Sequence, residues 1–156
     1  MLLFSEFIAD LARRRSLRRQ VDGGQVTYRL QLSGSSIVTI VCSETDPDAV
    51  SRVCSKEWPI APNEAAHAEF MRQALNFNRN ALHHLPCGIV PDPEMPDYYR
   101  LIWTVPAVTR STAQWTKELL LFGTLTDKAW STMSGAVNLG GSRTAADEAS
   151  HMIFMP

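Results

Sequence analysis

Hydrophobic positions change their spacing several times along the chain, and each change predicts a new secondary-structure element. Residues 2–20 predict a first helix, because Phe4, Phe7, Ile8 and Leu11 recur at helical spacing. These four side chains would form one apolar stripe along the helix. The opening of the chain is therefore expected to be an amphipathic helix that packs against a sheet.

A meander of three strands is predicted to follow this helix. Asp22-Gly23-Gly24 is expected to end the helix, and residues 26–33 then alternate between apolar and polar with a period of two. Residues 37–42 predict a second strand, and residues 49–60 predict a third strand with imperfect alternation. Short turns between the three segments favour an antiparallel meander.

The second helix is predicted over residues 64–85, with Asn63 as its N-cap. Its apolar residues cover a wider arc than a helix needs when it packs on a single sheet. Asn78 lies inside this arc, where an unpaired amide would be costly, so we expect a specific hydrogen-bond partner for it. The wide arc indicates a helix that contacts a second surface, either a second copy of the chain or a further helix of a monomer.

Two further strands, residues 88–90 and 98–105, are predicted before a last helix. Ser111 and Gln114 have the spacing of a capping box that begins this helix. The predicted order is α-β-β-β-α-β-β-α. This order is typical of an α+β domain in which helices pack against one twisted antiparallel sheet.

Composition and charge narrow the range of functions. The formal net charge of −1 over 156 residues argues against a general binder of polyanions. The three cysteines fit neither a disulfide framework nor a zinc motif, which favours a reducing compartment. No stretch approaches the roughly 18 apolar residues of a membrane-spanning helix, and the start of the chain does not resemble a cleavable signal peptide. We therefore expect a cytoplasmic protein that is not inserted in a membrane.

Candidate catalytic chemistry is sparse. Cys87 follows His83 and His84 closely and could be a reactive thiol, although a free cysteine more often packs as a small hydrophobic residue. The two adjacent histidines diverge on a helix and have no further histidine at metal-ligand spacing. We expect neither an enzyme nor a bound metal or cofactor.

A cluster of arginines lies at the end of the first predicted helix. It consists of Arg13, Arg14, Arg15, Arg18 and Arg19. The alternative function is therefore a small RNA-binding α/β module that uses this basic helix. Against it, the helix that would close such a module begins with Asn63-Glu64 instead of cationic residues.

Three segments together resemble a known family over residues 2–135. These are AEFMRQALNFNRNALHHL, YYRLIWTVP and STAQWTKELLLFGTLTDKAW, which occur in the predicted order of elements. In these features the chain resembles the small homodimeric type III secretion chaperones of the Tir-chaperone (CesT-like) family, and in length and general character its broad-specificity class IB members. Many family members are distinctly acidic, whereas this chain is nearly neutral.

The resemblance implies a function based on protein binding. Such chaperones are cytoplasmic homodimers that hold the N-terminal segment of a secreted effector in extended form. They keep the effector competent for export and deliver it to the secretion ATPase or export apparatus.

Candidate residues follow for each surface, with ordinary core packing as the alternative for each set. The candidate effector-binding groove comprises Phe4, Phe7, Ile8, Leu11, Val26, Tyr28, Leu30, Ile37 and Val38. The candidate dimer interface comprises Phe70, Met71, Leu75, Asn78, Leu82 and Trp103. The five arginines are candidates for electrostatic docking of acidic effector or apparatus surfaces.

The chain is predicted to divide into a domain, residues 1–136, and a flexible C-terminal tail, residues 137–156. Most of the tail is small and polar, but Met152–Met155 is apolar. We hypothesise that this apolar tip occupies a client groove when no effector is bound.

Overall fold

The computed structural model describes residues 1–32 and 36–138, and the side chains of residues 135–138 are not part of that description. Residues 139–156, which hold most of the predicted tail and its apolar tip, lie outside the described residues. Three helices pack on one sheet: α1 (Phe4–Arg15), α2 (Glu64–Ala81) and α3 (Thr112–Asn138). The strands are β1 (Gln20–Asp22), β2 (Gln25–Gln31), β3 (Ile37–Ser43), β4 (Ser51–Cys54), β5 (Trp58–Pro59), β6 (Cys87–Pro91) and β7 (Tyr98–Val105).

All strand pairs of the sheet are antiparallel. The order runs β1-β2-β3-β4-β7, and β7 pairs along one side with β4 and β5 in succession and along the other side with β6. Within the described residues, β1 and β6 are therefore the two edges of the sheet. The predicted α+β fold and its order α-β-β-β-α-β-β-α are confirmed, with β1 and β5 as short additional strands.

The first helix ends earlier than its predicted end at residue 20. Ser16 adopts a left-handed conformation with φ 53°, and the Leu17 N–H donates to the carbonyl oxygen of Ala12 at 2.9 Å. This arrangement is a Schellman motif, which ends a helix by satisfying its last carbonyl groups. Gly23 and Gly24 both have positive φ and form the two-residue turn between β1 and β2, so this glycine pair joins two strands.

The predicted third strand is divided in two. Cys54 pairs with Ile102, and Trp58 pairs with Tyr99, so this side has one residue more than β7 between the two pairs. An extra residue of this kind is a β-bulge. The Ser55 hydroxyl oxygen accepts the backbone N–H of Leu101 at 3.0 Å and thereby satisfies the ladder at the interruption.

The core lies between one face of the sheet and the helices. In β2 and β3, alternate residues are buried, as the period of two predicts for β2. Trp103 of β7 lies at the centre, with its ring 5.5 Å from that of Phe4 and 6.0 Å from that of Phe122. Gly123 lets α3 approach Leu32 closely, because a Cβ at this position would lie 3.0 Å from the Leu32 Cδ1 atom.

The predicted starts of α2 and α3 are confirmed. The Asn63 side chain accepts the Ala66 N–H at 2.9 Å, and Ser111 and Gln114 bond each other's backbone N–H groups. The predicted ends are less accurate. Helix α2 ends at Ala81 and not at residue 85, and α3 continues to Asn138, past the predicted start of the tail.

Candidate functional site

Two of the predicted dimer-interface residues belong to the core of the subunit. Phe70 packs with its ring 5.0 Å from that of Tyr99, and Trp103 lies between α1 and α3. Both side chains are almost completely buried. The prediction is wrong for Phe70 and Trp103, because the chain's own helices and strands cover them.

Asn78 has the specific partner that its position demands. Its Nδ2 donates to the carbonyl oxygen of Ile89 at 3.0 Å, and the Ile89 N–H donates to Asn78 Oδ1 at 2.6 Å. Ile89 is in the edge strand β6, so the amide of Asn78 occupies the place of a neighbouring strand at this residue. Both hydrogen-bonding groups of Asn78 are used within its own subunit, and its predicted interface role is not needed to satisfy them.

An apolar stripe remains exposed on α2. Leu75 is 64% exposed and Leu82 is 63% exposed, while Met71 is partly buried. With 100° between successive helical residues, these three side chains and Asn78 fall within an arc of about 60°. We call Met71, Leu75 and Leu82 the α2 stripe. Because Asn78 lies on the same side and holds Ile89, the α2 stripe borders the β6 edge of the sheet.

The α2 stripe and the β6 edge form a surface that suits a protein partner. Val90 of β6 is also an exposed apolar residue. Single exposed hydrophobic residues are common, but grouped ones beside a strand edge are typical of interaction sites. Of the predicted interface residues, the structure therefore leaves the members of the α2 stripe accessible together.

The predicted effector groove is closed by the fold. Only Leu11, which is partly buried, and Ile37, which is 40% exposed, reach the surface. The other seven candidates are buried in the core: Phe4, Phe7, Ile8, Val26, Tyr28, Leu30 and Val38. Their apolar spacing reflects packing between α1, α3 and the sheet, so they do not line an open groove, and this part of the prediction is wrong.

The arginine cluster is exposed and partly paired. Asp10 forms ion pairs with Arg13 and Arg14, and Glu44 forms one with Arg19 at 3.4 Å. Arg15 and Arg18 are also exposed. Exposed ion pairs contribute little to stability but reduce the free positive charge of a surface.

A strand edge that the sequence interpretation missed lies beside these arginines. β1 follows Arg19 directly and has no strand on its outer side within residues 1–32 and 36–138. Its Val21 is exposed, and the preceding Leu17 is only partly buried against the core. The glycine pair after Asp22 was an available hairpin signal, because two glycines between extended segments favour a tight β-turn.

The candidate reactive thiol is unsuited to nucleophilic chemistry. Burial raises the pKa of the Cys87 thiol to about 12, so it stays protonated near neutral pH. His83 and His84 point to the surface, and no group of three potential metal ligands occurs within the described part of the chain. These observations weaken the interpretation of Cys87 as a reactive thiol.

Comparisons with protein-family models, curated proteins and solved structures find no match. Within the described residues, no helix combines the length and the apolar character that crossing a bilayer requires. Two surfaces of this chain are therefore the candidate functional sites: the α2 stripe with the β6 edge, and the β1 edge with its arginines.

Proposed function

We propose that this protein is a cytoplasmic type III secretion chaperone. It acts as a homodimer, binds N-terminal segments of effector proteins in extended form and keeps them competent for export through the secretion ATPase or export apparatus. Two features support the proposal. The fold has the order of elements that the resemblance to the Tir-chaperone family implies, and α2 carries an exposed apolar stripe beside a strand edge.

The exposed α2 stripe is the main observation that supports the proposed homodimer. A two-fold symmetric interface brings the same patch of both subunits together, so an apolar stripe can cover its own copy. Burying a leucine from full exposure stabilises an assembly by about 1.5–3 kcal/mol, and Leu75 and Leu82 are each more than half exposed. A stable interface buries at least about 1,000 Å² in total, so polar residues around the stripe must also take part.

The β1 edge is the surface that we assign to the effector segment. An extended peptide can add to an open strand edge through main-chain hydrogen bonds, which depend little on its sequence. Val21 and Leu17 would contact its apolar side chains, and Arg15 and Arg18 would favour acidic ones. This assignment replaces the groove between α1 and the sheet, whose residues are buried.

The paired arginines make the RNA-binding alternative the weaker one. Three of the five arginines have carboxylate partners. Binding to a phosphate backbone depends on cations that can release counterions from the nucleic acid, and paired cations contribute less to this effect.

Substitution of Leu75 tests the dimer and the function together. Leu75→Asp places a charge in the proposed interface, and the expected result is a monomer in light scattering where the unmodified chain is a dimer. The matched control is Leu120→Asp, since Leu120 of α3 is 47% exposed and lies outside the α2 stripe. Circular dichroism of both variants checks that the fold is retained.

Co-purification with N-terminal segments of candidate effectors tests client binding. The unmodified chain and Leu120→Asp should retain a client, and Leu75→Asp should lose it, because the homodimer is the proposed binding unit. A folded Leu75→Asp variant that remains fully dimeric would contradict the interface. A dimer that retains none of the effector segments, but retains RNA, would contradict the chaperone function.

A further inference from the structure

A groove lies between α2 and α3, apart from the α2 stripe and the β1 edge. It has a volume of about 190 Å³, and its floor includes Phe77, Ala81 and Leu125. All three floor residues are buried, whereas Asn80 and Lys128 on the rim are exposed. Pockets for drug-sized ligands are typically about 300–1,000 Å³, so this groove suits a single large apolar side chain with its adjoining backbone.

The rim of the groove determines which kind of segment fits. Asn76 and Asn80 carry amide groups that can donate to and accept from a peptide backbone. Lys128 and His84 supply the ionisable groups, and none of the nine residues that line the groove is acidic. The chemistry matches a peptide that combines an apolar side chain with a nearby carboxylate.

We propose that the groove binds the C-terminal segment of the same chain, residues 147–155. This segment contains Asp147 and Glu148, followed shortly by the apolar run Met152–Met155. The acidic pair complements Lys128, and one apolar side chain of the run, Phe154 in our assignment, packs on the groove floor. The proposal is independent of the secretion-chaperone function.

The chain between α3 and the acidic pair is long enough for this contact. Lys128 lies ten residues before Asn138, which corresponds to about 15 Å along the helix. Residues 139–146 can span at most about 26–29 Å when fully extended. The segment can therefore turn back along α3 and bring Asp147 to the rim without any change in the fold.

Docking of this segment would make the groove self-occupied. A partner peptide with the same combination of apolar and acidic side chains would have to compete with residues 147–155. The effective concentration of a tethered segment is high, so only a partner with additional contacts would displace it.

Zero-length cross-linking of the full chain tests the contact. A carbodiimide joins a lysine amine to a carboxylate with which it is in direct contact, and the chain has only three lysines, Lys56, Lys117 and Lys128. We expect a link from Lys128 to Asp147 or Glu148. Lys117 is the matched control, because it is exposed on the same helix about three turns earlier.

A substitution in the C-terminal segment distinguishes docking in the groove from chance encounters between this segment and Lys128. Phe154→Asp removes the proposed anchor and should reduce the Lys128 link by about tenfold or more, since burying a phenylalanine contributes one or two factors of ten in affinity. A link that persists in Phe154→Asp, or equal linking at Lys117 or Lys56, would overturn the proposal. Links found only between isotopically different copies would assign the segment to a second chain and refute the same-chain contact.

Discussion

The pair of hydrogen bonds between Asn78 and Ile89 offers the most direct test of how α2 is attached to the sheet. A single side chain bonds both the N–H and the carbonyl group of an edge-strand residue, at 2.6 and 3.0 Å. Each such bond contributes about 0.5–1.5 kcal/mol net to stability. Asn78→Ala removes both bonds and leaves the Ile89 groups without their partner.

The expected loss of stability follows from these terms. Two lost hydrogen bonds cost about 1–3 kcal/mol, and partial access of water to this site limits the additional penalty for the orphaned groups. The higher helix propensity of alanine returns about 0.5 kcal/mol. We therefore expect Asn78→Ala to lower the free energy of unfolding by about 0.5–2.5 kcal/mol.

Asn78→Asp tests the hydrogen-bond direction separately. A carboxylate can still accept the Ile89 N–H, but it repels the Ile89 carbonyl oxygen, which needs a donor. Protonation restores that donor. The free energy of unfolding of Asn78→Asp should therefore lie well below that of the unmodified chain at pH 7. This difference should shrink as the pH falls towards about 4, the ordinary pKa of an aspartate.

Urea unfolding at a fixed protein concentration measures both variants, because the stability of the proposed dimer would depend on concentration. The matched control is Asn80→Ala, an exposed asparagine on the same helix, which should be neutral or slightly stabilising. An Asn78→Ala variant as stable as this control would contradict the conclusion that the Asn78 amide attaches α2 to β6 through Ile89. A loss of stability in Asn78→Asp that does not depend on pH would contradict it as well.

Two further predictions concern other parts of the fold. Trp115→Phe removes the bond from Trp115 Nε1–H to the carbonyl oxygen of Leu2 at 2.8 Å and shortens a completely buried side chain, so it should cost about 1–3 kcal/mol in urea unfolding; an unchanged midpoint would contradict this role. Because burial raises the pKa of Cys87 to about 12, Cys87 should resist iodoacetamide at neutral pH, and rapid labelling of the native chain would contradict its burial. The contribution of the protonated Cys87 thiol to the free energy of unfolding should be complete below the unfolded pKa near 9. It should be lost as the pH rises towards 12, and Cys87→Ala should reduce this loss.

Local patterns predicted much of the fold correctly. The period of two in β2, the bounds of β7 and the N-cap at Asn63 agree with the structure. Such features depend on side chains within a few residues of each other, so the sequence contains all the information that they need. The errors at residue 16 and at Ser55 arose where a left-handed residue and a bulge interrupt the local pattern.

The candidate surfaces were harder to predict, because the identity of an apolar residue does not indicate which neighbour will cover it. The helical arc of α2 contained Phe70 and Leu75 alike, yet Phe70 is buried against Tyr99 and Leu75 is exposed. Asn78 was expected to need a partner, but only the packing of α2 against β6 identified Ile89 as that partner.

The sequence alone thus determined the order of elements, their faces and the surplus of apolar side chains on α2. Tertiary structure decided which of those side chains became core, which strand edge stayed open and where a groove formed between helices. The physical reason is the range of the interactions. Periodicity and capping act within one element, whereas exposure depends on contacts between elements that are distant along the chain.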